Sequence, residues 1–150
     1  MIFIFDIDGT LADNSHRVHY ILKADKDWDA YHQACDCDTP ILPTIAVLNC
    51  LYKQDHKILF WTGRDEIVRK QTEEWIETWT AVKPADIRYN LSMRGTGDHR
   101  EDHKLKERAL MALGPISRAK LAGVFEDREQ VVAMWRRNGV MCFQVAEGKY

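Results

Sequence analysis

Short apolar segments alternate with amphipathic segments along most of this chain, and this alternation restricts the possible fold more than any other feature. Met1–Phe5 is a continuous apolar run closed by an acidic residue, as expected of a strand buried on both faces of a parallel sheet. Later apolar runs are separated by segments with apolar residues at helical spacing. Strands that alternate with helices form βαβ units. The pattern predicts an α/β fold, a Rossmann-like three-layer sandwich around a mostly parallel five-stranded sheet.

The predicted elements cover most of the 150 residues. The predicted strands are Met1–Phe5, Lys57–Trp61, Ile87–Leu91, Leu121–Phe125 and Val140–Val145. The predicted helices are residues 42–55, Asp65–Trp79, Asp102–Leu113 and Arg128–Arg137. Residues of about 13–40 interrupt the alternation, with helical pieces at Arg17–Lys23 and Trp28–Cys35. A chain of this length suits one domain, 1–150, so we interpret this segment as a small helical cap-like insert or, alternatively, a long connection.

The charge distribution limits the classes of protein to which the chain can belong. With 21 Lys and Arg against 23 Asp and Glu, the formal net charge is −2, which argues against a strongly basic nucleic-acid coat protein. The first 40 residues are acidic and the remainder is basic, a balance that suits a cation-dependent site facing an anionic substrate. No apolar run is long enough to cross a membrane, and four cysteines without a secretion signal indicate reduced thiols. We therefore expect a cytoplasmic protein with no membrane partner.

Oxygen-bearing side chains occur where three of the predicted strands end. These residues are Asp6, Asp8, Thr62, Glu126 and Asp127. Right-handed crossovers bring the carboxyl ends of parallel strands to one edge of the sheet, where ligands of such folds bind. One acidic strand end is weak evidence, but three at the same edge predict a functional site.

The residue types at this edge suit phosphoryl transfer. A carboxylate such as Asp6 can attack phosphorus and form an aspartyl-phosphate, and a second carboxyl group such as Asp8 can act as general acid and base. The Thr62 hydroxyl and the Gly63 backbone N–H can donate to phosphate oxygens. The crowded negative charge requires a hard cation, and Mg²⁺ prefers oxygen ligands. The lysines considered for neutralising the phosphate are Lys104, Lys106 and Lys120.

Three short segments resemble the motifs of the haloacid dehalogenase superfamily phosphatases. Asp6-Ile7-Asp8-Gly9-Thr10-Leu11 resembles the first motif, D-x-D-G-T-L. Trp61-Thr62-Gly63-Arg64 resembles the second motif, and Glu126-Asp127 resembles the fourth. The first motif alone identifies only the superfamily.

Longer segments are similar to the 3′-phosphatase domain of bacteriophage polynucleotide kinase-phosphatase. They are the segment from Glu126 to Val140, the tail from Cys142 to Gly148, and the loop from Gly97 to Asp102 with Lys106 four residues later. The resemblance covers nearly the whole chain, and the segment from Glu126 is far more specific than the first motif. Residues 18–40 match that domain poorly. If they form the cap, the choice of substrate is the least defined part of the resemblance.

The resemblance implies a Mg²⁺-dependent polynucleotide 3′-phosphatase, which hydrolyses 3′-terminal phosphates of DNA or RNA through an aspartyl-phosphate in nucleic-acid end repair. It implies that the catalytic residues are Asp6, Asp8, Thr62 and Lys106. It implies that the substrate-binding residues, together with Gly63, are Arg17, Arg64 and Asp102. It implies that the Mg²⁺ ligands are Asp6, the Asp8 carbonyl, Asp127 and, less directly, Glu126, which stands where that domain has Asp. Asp102 is expected to fix one of the two arginines.

Two other functions stay open at this stage. The modest net charge suits a soluble nucleotidase that hydrolyses free (deoxy)nucleoside monophosphates by the same chemistry. A receiver-like signalling domain is disfavoured, because a second Asp at this spacing would hydrolyse the phosphate that the first acquires. The chain lacks the G-x-x-x-x-G-K-[ST] sequence of a kinase. A separate kinase or ligase could therefore act as its partner, and a homo-oligomer is also possible.

The aromatic residues fall into two groups. Trp75, Trp79 and Trp135 have the helical spacing of core residues. Trp28 and Tyr31 lie in the insert, where they are the better candidates for stacking on nucleobases.

Overall fold

The computed structural model describes residues 1–148 of the chain, as follows. The strands are β1 (Ile2–Phe5), β2 (Ala12–Asp13), β3 (Thr39–Pro40), β4 (Lys57–Asp65), β5 (Leu91–Arg94), β6 (Leu121–Arg128) and β7 (Cys142–Gly148). The α-helices are α1 (Trp28–Gln33), α2 (Leu42–Lys53), α3 (Arg69–Trp79), α4 (Pro84–Asn90), α5 (Asp102–Ala112), α6 (Pro115–Lys120) and α7 (Glu129–Arg137). Strand β4 runs four residues past its predicted end, and α6 lies in a segment without a predicted element.

The central sheet contains five strands in the order β5-β4-β1-β6-β7, and each neighbouring pair is parallel. Strand β1 is at the centre and is buried along its whole length, as its unbroken apolar sequence predicts. The parallel five-stranded sheet and its flanking helices confirm the predicted α/β fold. The carboxyl ends of β4, β1 and β6 therefore lie side by side.

Alternation along β1 divides the core into two layers. Phe3 and Phe5 pack on one face of the sheet with side chains of α2, α3 and α4. Ile2 and Ile4 pack on the other face with side chains of α5 and α7. Trp75 and Trp135 are buried in these layers, as predicted, whereas Trp79 is 42% exposed, so its predicted place in the core is wrong.

The third predicted strand is wrong at Ile87–Leu91, where the chain forms α4 followed by β5. Pro84 occupies the first turn of this helix, a position at which a missing N–H costs nothing. Ile87 and Leu91 are both buried and lie four residues apart, which is one turn of a helix. Their spacing fits one turn of a helix as well as a strand, and the strand begins only at Leu91.

The second predicted helix starts later than expected, at Arg69 instead of Asp65. Strand β4 continues to Asp65, and a 3₁₀ turn over Glu66–Val68 precedes α3. Gly63 does not end the strand. It permits a close approach, because a Cβ there would lie 2.8 Å from Asp102 Oδ1.

The two ends of residues 13–40, which we call the insert, lie side by side next to the sheet. Strand β2 pairs with β3 in antiparallel orientation, and the Ile41 N–H donates to the Leu11 carbonyl at 2.7 Å. Within the insert, α1 and a 3₁₀ turn over Ala34–Cys37 match the second predicted helical piece. The first piece is only a 3₁₀ turn over Val18–Tyr20. Over residues 1–148, no helix combines the length and the apolar character needed to cross a membrane.

Candidate active site

The predicted site residues come together at the carboxyl edge of the sheet. Asp6 directly follows β1, the central strand. Thr62 lies in β4 on one side of β1, and Glu126 and Asp127 lie in β6 on the other side. Asp8 lies two residues after Asp6, and the chain turns directly after it at Gly9, where the backbone has a φ of 77°. These positions follow from the parallel order of the strands.

Lys106, on α5, is buried among three carboxylates. Its Nζ lies 2.6 Å from Asp6 Oδ1, 2.8 Å from Glu126 Oε2 and 3.0 Å from Asp102 Oδ2. Asp102 and Lys106 are four residues apart on α5, so both side chains reach the site from one face of the helix. Lys104 and Lys120, the other lysines considered, are exposed.

Burial and mutual repulsion shift the pKa values in this cluster. Burial, together with the charge of Glu126, raises the pKa of Asp6 well above its ordinary value, although Lys106 opposes the shift. Burial likewise raises the pKa of Glu126 to about 7. Burial alone would lower the pKa of Lys106, but Asp102, Asp6 and Glu126 outweigh it and raise that pKa. The ammonium group is thus held in its charged form.

Three carboxylates of the cluster are arranged so that they could share a cation. Oxygen atoms of Asp6, Glu126 and Asp127 all lie within 4.8 Å of one another, and the three residues are buried. Three hard oxygen donors match the ligand preference of Mg²⁺. The Asp8 side chain belongs to a different cluster.

Asp8 is held by two arginines. Its Oδ1 accepts from Arg17 Nη2 at 2.7 Å and from Arg64 Nε at 2.8 Å. Burial alone would raise the pKa of Asp8, but the guanidinium groups of Arg64 and Arg17 outweigh it and lower the pKa to about 2. The two arginines therefore favour the ionised form of Asp8.

Asp38 holds both arginines from the other side. Its Oδ1 accepts from Arg17 Nε at 2.7 Å, and its Oδ2 accepts from Arg64 Nη2 at 2.6 Å. Both guanidinium groups are fully buried. Arg17 also donates to the Tyr31 carbonyl at 3.1 Å, and Arg64 donates to the Thr72 hydroxyl at 3.5 Å. The expectation that Asp102 fixes one of these arginines is wrong, because Asp102 contacts Lys106 instead. No motif marks Asp38 in the sequence, and only the need of a buried arginine for a carboxylate hints at such a partner.

Two adjoining cavities open on these clusters. The larger, of about 740 Å³, is lined by Asp6, Asp8, Gly63 and Asp102, by residues of the insert, and by the loop between β5 and α5. The smaller, of about 430 Å³, is lined by Thr62 and Lys106. Asp102 borders both cavities. The Thr62 hydroxyl also accepts from the Arg64 backbone N–H at 3.2 Å.

Arg94 fixes the loop between the two cavities. Its Nε donates to the Gly63 carbonyl at 3.0 Å, and its Nη1 donates to the carbonyls of Asp98, at 2.9 Å, and Arg100. Arg100 in turn pairs with the Asp98 carboxylate. Sequence reasoning did not identify Arg94, because its partners are backbone oxygens that leave no sequence signal.

Carboxylates and a buried lysine at the carboxyl edge of a parallel sheet, arising from the motifs described above, are features of a phosphatase of the haloacid dehalogenase type. The chain belongs to the family described as the polynucleotide kinase PNKP phosphatase domain, whose family model matches residues 1–150. The chain is thus an enzyme of this phosphatase type. A receiver-like signalling domain is excluded.

Known relatives support this membership. A putative bifunctional polynucleotide kinase/RNA ligase of Autographa californica nuclear polyhedrosis virus is 31% identical over an alignment of 134 residues, which covers 87% of this chain and 17% of the viral protein. A chain of the Pnkp1/Rnl/Hen1 RNA repair complex is 30% identical with a TM-score of 0.77, over 99% of this chain and 43% of that one. The class C acid phosphatase of Bacillus anthracis, at 16% identity and a TM-score of 0.66 over 99% of this chain and 67% of that one, shows likeness of fold. The chain spans less than half of these polynucleotide kinase and repair relatives.

Proposed function

We propose that this protein is a Mg²⁺-dependent polynucleotide 3′-phosphatase, which hydrolyses 3′-terminal phosphates of DNA or RNA in nucleic-acid end repair. The observation that carries the proposal is the position of Asp6, which lines the large cavity and lies 2.6 Å from Lys106 Nζ. The polynucleotide kinase and RNA repair relatives support the choice of substrate.

In the proposed reaction, a carboxylate oxygen of Asp6 attacks phosphorus while the bond to the 3′-oxygen breaks. Asp8 gives a proton to the leaving oxygen, and the phosphoryl group stays on Asp6 as an aspartyl-phosphate. Asp8 then takes a proton from water, whose oxygen attacks phosphorus. Inorganic phosphate leaves and the Asp6 carboxylate is restored.

Asp8 has to be protonated when the leaving oxygen departs, although Arg17 and Arg64 hold its pKa at about 2. A phosphate monoester brings a charge of about −1.5 to −2 at neutral pH. This charge raises the pKa of a nearby carboxyl group and attracts the same guanidinium groups. We therefore infer that substrate binding makes Asp8 an effective acid, and that both arginines act on the reaction through Asp8.

Other residues of the cluster position the phosphoryl group. The Lys106 ammonium adjoins the attacking carboxylate and can neutralise charge on the phosphoryl oxygens. The Thr62 hydroxyl and the Gly63 N–H are donors at the same edge of the sheet. Asp102 holds Lys106 in place from one turn earlier on α5.

The donor set of Asp6, Glu126 and Asp127 fits Mg²⁺, because it consists of buried carboxylate oxygens within 4.8 Å of one another. The backbone carbonyl of Asp8 is a further proposed ligand. When bound, Mg²⁺ would neutralise charge on the carboxylates and on the transferring phosphoryl group. Both carboxylate oxygens of Glu126 already accept hydrogen bonds, Oε2 from Lys106 at 2.8 Å and Oε1 from the Asp127 N–H at 3.2 Å, so we rank Glu126 below Asp127 as a direct ligand.

Phosphate release from matched substrates tests the proposal. One short oligonucleotide would carry a phosphate at either its 3′ or its 5′ end, and thymidine 3′- and 5′-monophosphates would be assayed beside it, with Mg²⁺ and with EDTA. We expect Mg²⁺-dependent release from the 3′-phosphorylated oligonucleotide and none from Asp6→Asn. Faster release from thymidine 5′-monophosphate would overturn the polynucleotide assignment.

A nucleotidase with the same chemistry is the second candidate, favoured by the formal net charge of −2. The salt dependence of KM separates the two functions, since contacts to several backbone phosphates weaken steeply with salt. A KM for the oligonucleotide that does not change with salt would favour the nucleotidase.

We also propose that the enzyme acts in the cytoplasm beside a kinase or ligase. A relative named as a bifunctional kinase/ligase and a chain of an RNA repair complex support the choice of partner. Removal of a 3′-phosphate leaves the 3′-hydroxyl that a ligase needs. A nucleic-acid ligase should therefore seal a nick that carries a 3′-phosphate only when the wild-type protein is present. The Asp6→Asn variant should not support sealing.

A further inference from the structure

The large cavity exceeds what a phosphoryl group alone would need. Its volume of about 740 Å³ lies within the range of about 300–1,000 Å³ that is typical of sites for larger organic ligands. Asp6 and Asp8 account for only part of its wall, and residues of the insert account for another part. The insert wall must therefore face whatever is attached to the phosphate.

Two apolar side chains of the insert are exposed on this wall. Trp28 is 46% exposed and Leu22 is 70% exposed, and both line the cavity. Buried clefts with apolar or aromatic walls are the usual sites of organic ligands. An accessible aromatic ring beside the reacting carboxylates indicates a contact with the organic part of the substrate.

The surroundings of Trp28 suit a nucleotide. The Lys26 ammonium lies 5.7 Å from the centroid of the Trp28 ring, so positive charge adjoins the exposed aromatic surface. The His32 ring is inclined by 27° to the indole, with the centroids 6.1 Å apart, and adjoins it from within the insert. An aromatic surface next to a cation matches a planar base joined to anionic phosphates.

Tyr31, the other aromatic residue considered for stacking, serves a different purpose. It is buried, and the Arg17 guanidinium lies over its ring at 4.2 Å from the centroid. Its hydroxyl accepts from Asn14 Nδ2 at 2.8 Å. Tyr31 therefore belongs to the buried support of Asp8, and Trp28 is the ring available to a ligand.

We propose that Trp28 stacks on the base of the 3′-terminal nucleotide and so determines the preference of the enzyme for nucleotide substrates over other phosphate esters. This inference rests on the proposed function and adds a specificity-determining residue to it. Aromatic stacking tolerates all four bases, so the contact selects for a base without reading its identity.

The test compares Trp28→Ala and Trp28→Phe with the wild-type enzyme on three substrates. These are a 3′-phosphorylated oligonucleotide, the same oligonucleotide with a tetrahydrofuran abasic residue at its 3′ end, and glycerol 2-phosphate, which has no ring to stack. Trp79→Ala is the matched control, because Trp79 is 42% exposed and does not line the cavity.

We expect Trp28→Ala to raise KM for the intact oligonucleotide by about 5- to 150-fold with kcat nearly unchanged, the fold-change that corresponds to about 1–3 kcal/mol of stacking. Trp28→Phe should restore most of the loss. The abasic oligonucleotide and glycerol 2-phosphate should be hydrolysed equally by wild type and Trp28→Ala. Trp79→Ala should resemble wild type on every substrate.

Other outcomes would overturn the inference. An unchanged KM for the intact oligonucleotide would show that Trp28 makes no such contact, and an equal loss on the abasic oligonucleotide would show that its effect is not due to the base. Affinity for an uncleaved, fluorescein-labelled 3′-phosphorylated oligonucleotide, measured by anisotropy in the Asp6→Asn background, gives a readout independent of turnover.

The failure of the proposed function would look different. If the wild type preferred thymidine 5′-monophosphate to the oligonucleotide, the polynucleotide assignment would fail. The stacking contact would then be tested by comparing thymidine 5′-monophosphate with ribose 5-phosphate in the same variants. A loss confined to the substrate that carries a base would support Trp28, and equal losses on both would overturn it.

Discussion

Asp38 and Arg64 form a fully buried ion pair in which Asp38 Oδ2 lies 2.6 Å from Arg64 Nη2. The same carboxylate lies 2.6 Å from Arg17 Nη2, so one residue at the end of the insert holds both arginines that contact Asp8. The Trp75 indole N–H donates to the Asp38 carbonyl at 2.8 Å, which ties this residue to the core as well. The geometry of Asp8 therefore depends on the insert.

Asp38→Ala should strongly destabilise the protein, because it leaves two buried guanidinium groups with one fewer carboxylate. Breaking a buried ion pair in this way costs about 3–5 kcal/mol of the free energy of unfolding. We expect kcat to fall as well, because Asp8 loses its fixed position. Urea denaturation and phosphate release measure the two effects.

Asp36→Ala is the matched control for Asp38→Ala, because Asp36 is exposed and lies two residues away. We expect a change within about 0.5 kcal/mol for this variant. Equal stability losses in the two variants would contradict the structural role of Asp38.

Asp6→Asn should abolish turnover and preserve the fold. The amide cannot form the aspartyl-phosphate, while Lys106 keeps Asp102 and Glu126 as partners. Phosphate release should fall by at least about 10³-fold, since the nucleophile is removed. Circular dichroism should give a spectrum like that of the wild type. Activity near that of the wild type would refute Asp6 as the nucleophile.

Asp8→Asn should change how stability depends on acid pH. The folded-state pKa of Asp8 is lowered from 3.8 to about 2, so its ionised form stabilises the fold above pH 3.8, and this stabilisation is lost as pH falls through 2. The shift corresponds to about 2 kcal/mol at neutral pH. Wild type should therefore exceed Asp8→Asn in stability at pH 7, and the difference should shrink between about pH 4 and pH 2.

Denaturation midpoints over that pH range measure the effect. Asp25→Asn, an exposed position in the insert, serves as the control. If the difference between wild type and Asp8→Asn stayed constant down to pH 2, the arginines would not be what holds Asp8 ionised.

Mg²⁺ should raise the melting temperature of the protein through Asp127. A ligand present at 100 times its Kd stabilises the folded state by about 2.7 kcal/mol. Asp127→Asn should reduce this stabilisation, because Asp127 belongs to the buried carboxylate group, and EDTA should reverse it in the wild type. Asp29→Asn changes an exposed carboxylate that lines the same cavity and should respond to Mg²⁺ like the wild type. Equal responses of Asp127→Asn and wild type would argue against this site.

Much of the fold follows from local patterns in the sequence. The apolar run of β1 and the periodic face of α7 each indicate one structure, and the acids that follow the strands mark the functional edge. Ile87 and Leu91 were misjudged because a short apolar pair fits both a strand and one turn of a helix, and packing against the sheet decides between them.

The partners of the arginines illustrate what local patterns cannot supply. Asp38 lies 21 residues from Arg17 and 26 from Arg64, so their pairing arises only when the insert folds back on the sheet. Asp102 was the better-marked acid in the sequence, yet its place one turn before Lys106 directs it to the lysine. A motif reveals which groups are present, but the tertiary fold decides which of them meet.

The pairing of β2 with β3 has an evolutionary consequence. Because the insert starts and ends side by side, its length can vary without displacing β1 or α2. Loop closure adds only about 0.6 kcal/mol for each doubling of length. Arg17 and Asp38 anchor its two ends, and Tyr31 packs against Arg17, while the exposed residues between these anchors can diversify. Evolution or protein engineering can thus change substrate specificity through the exposed part of the insert, while the catalytic residues at the edge of the sheet stay in place.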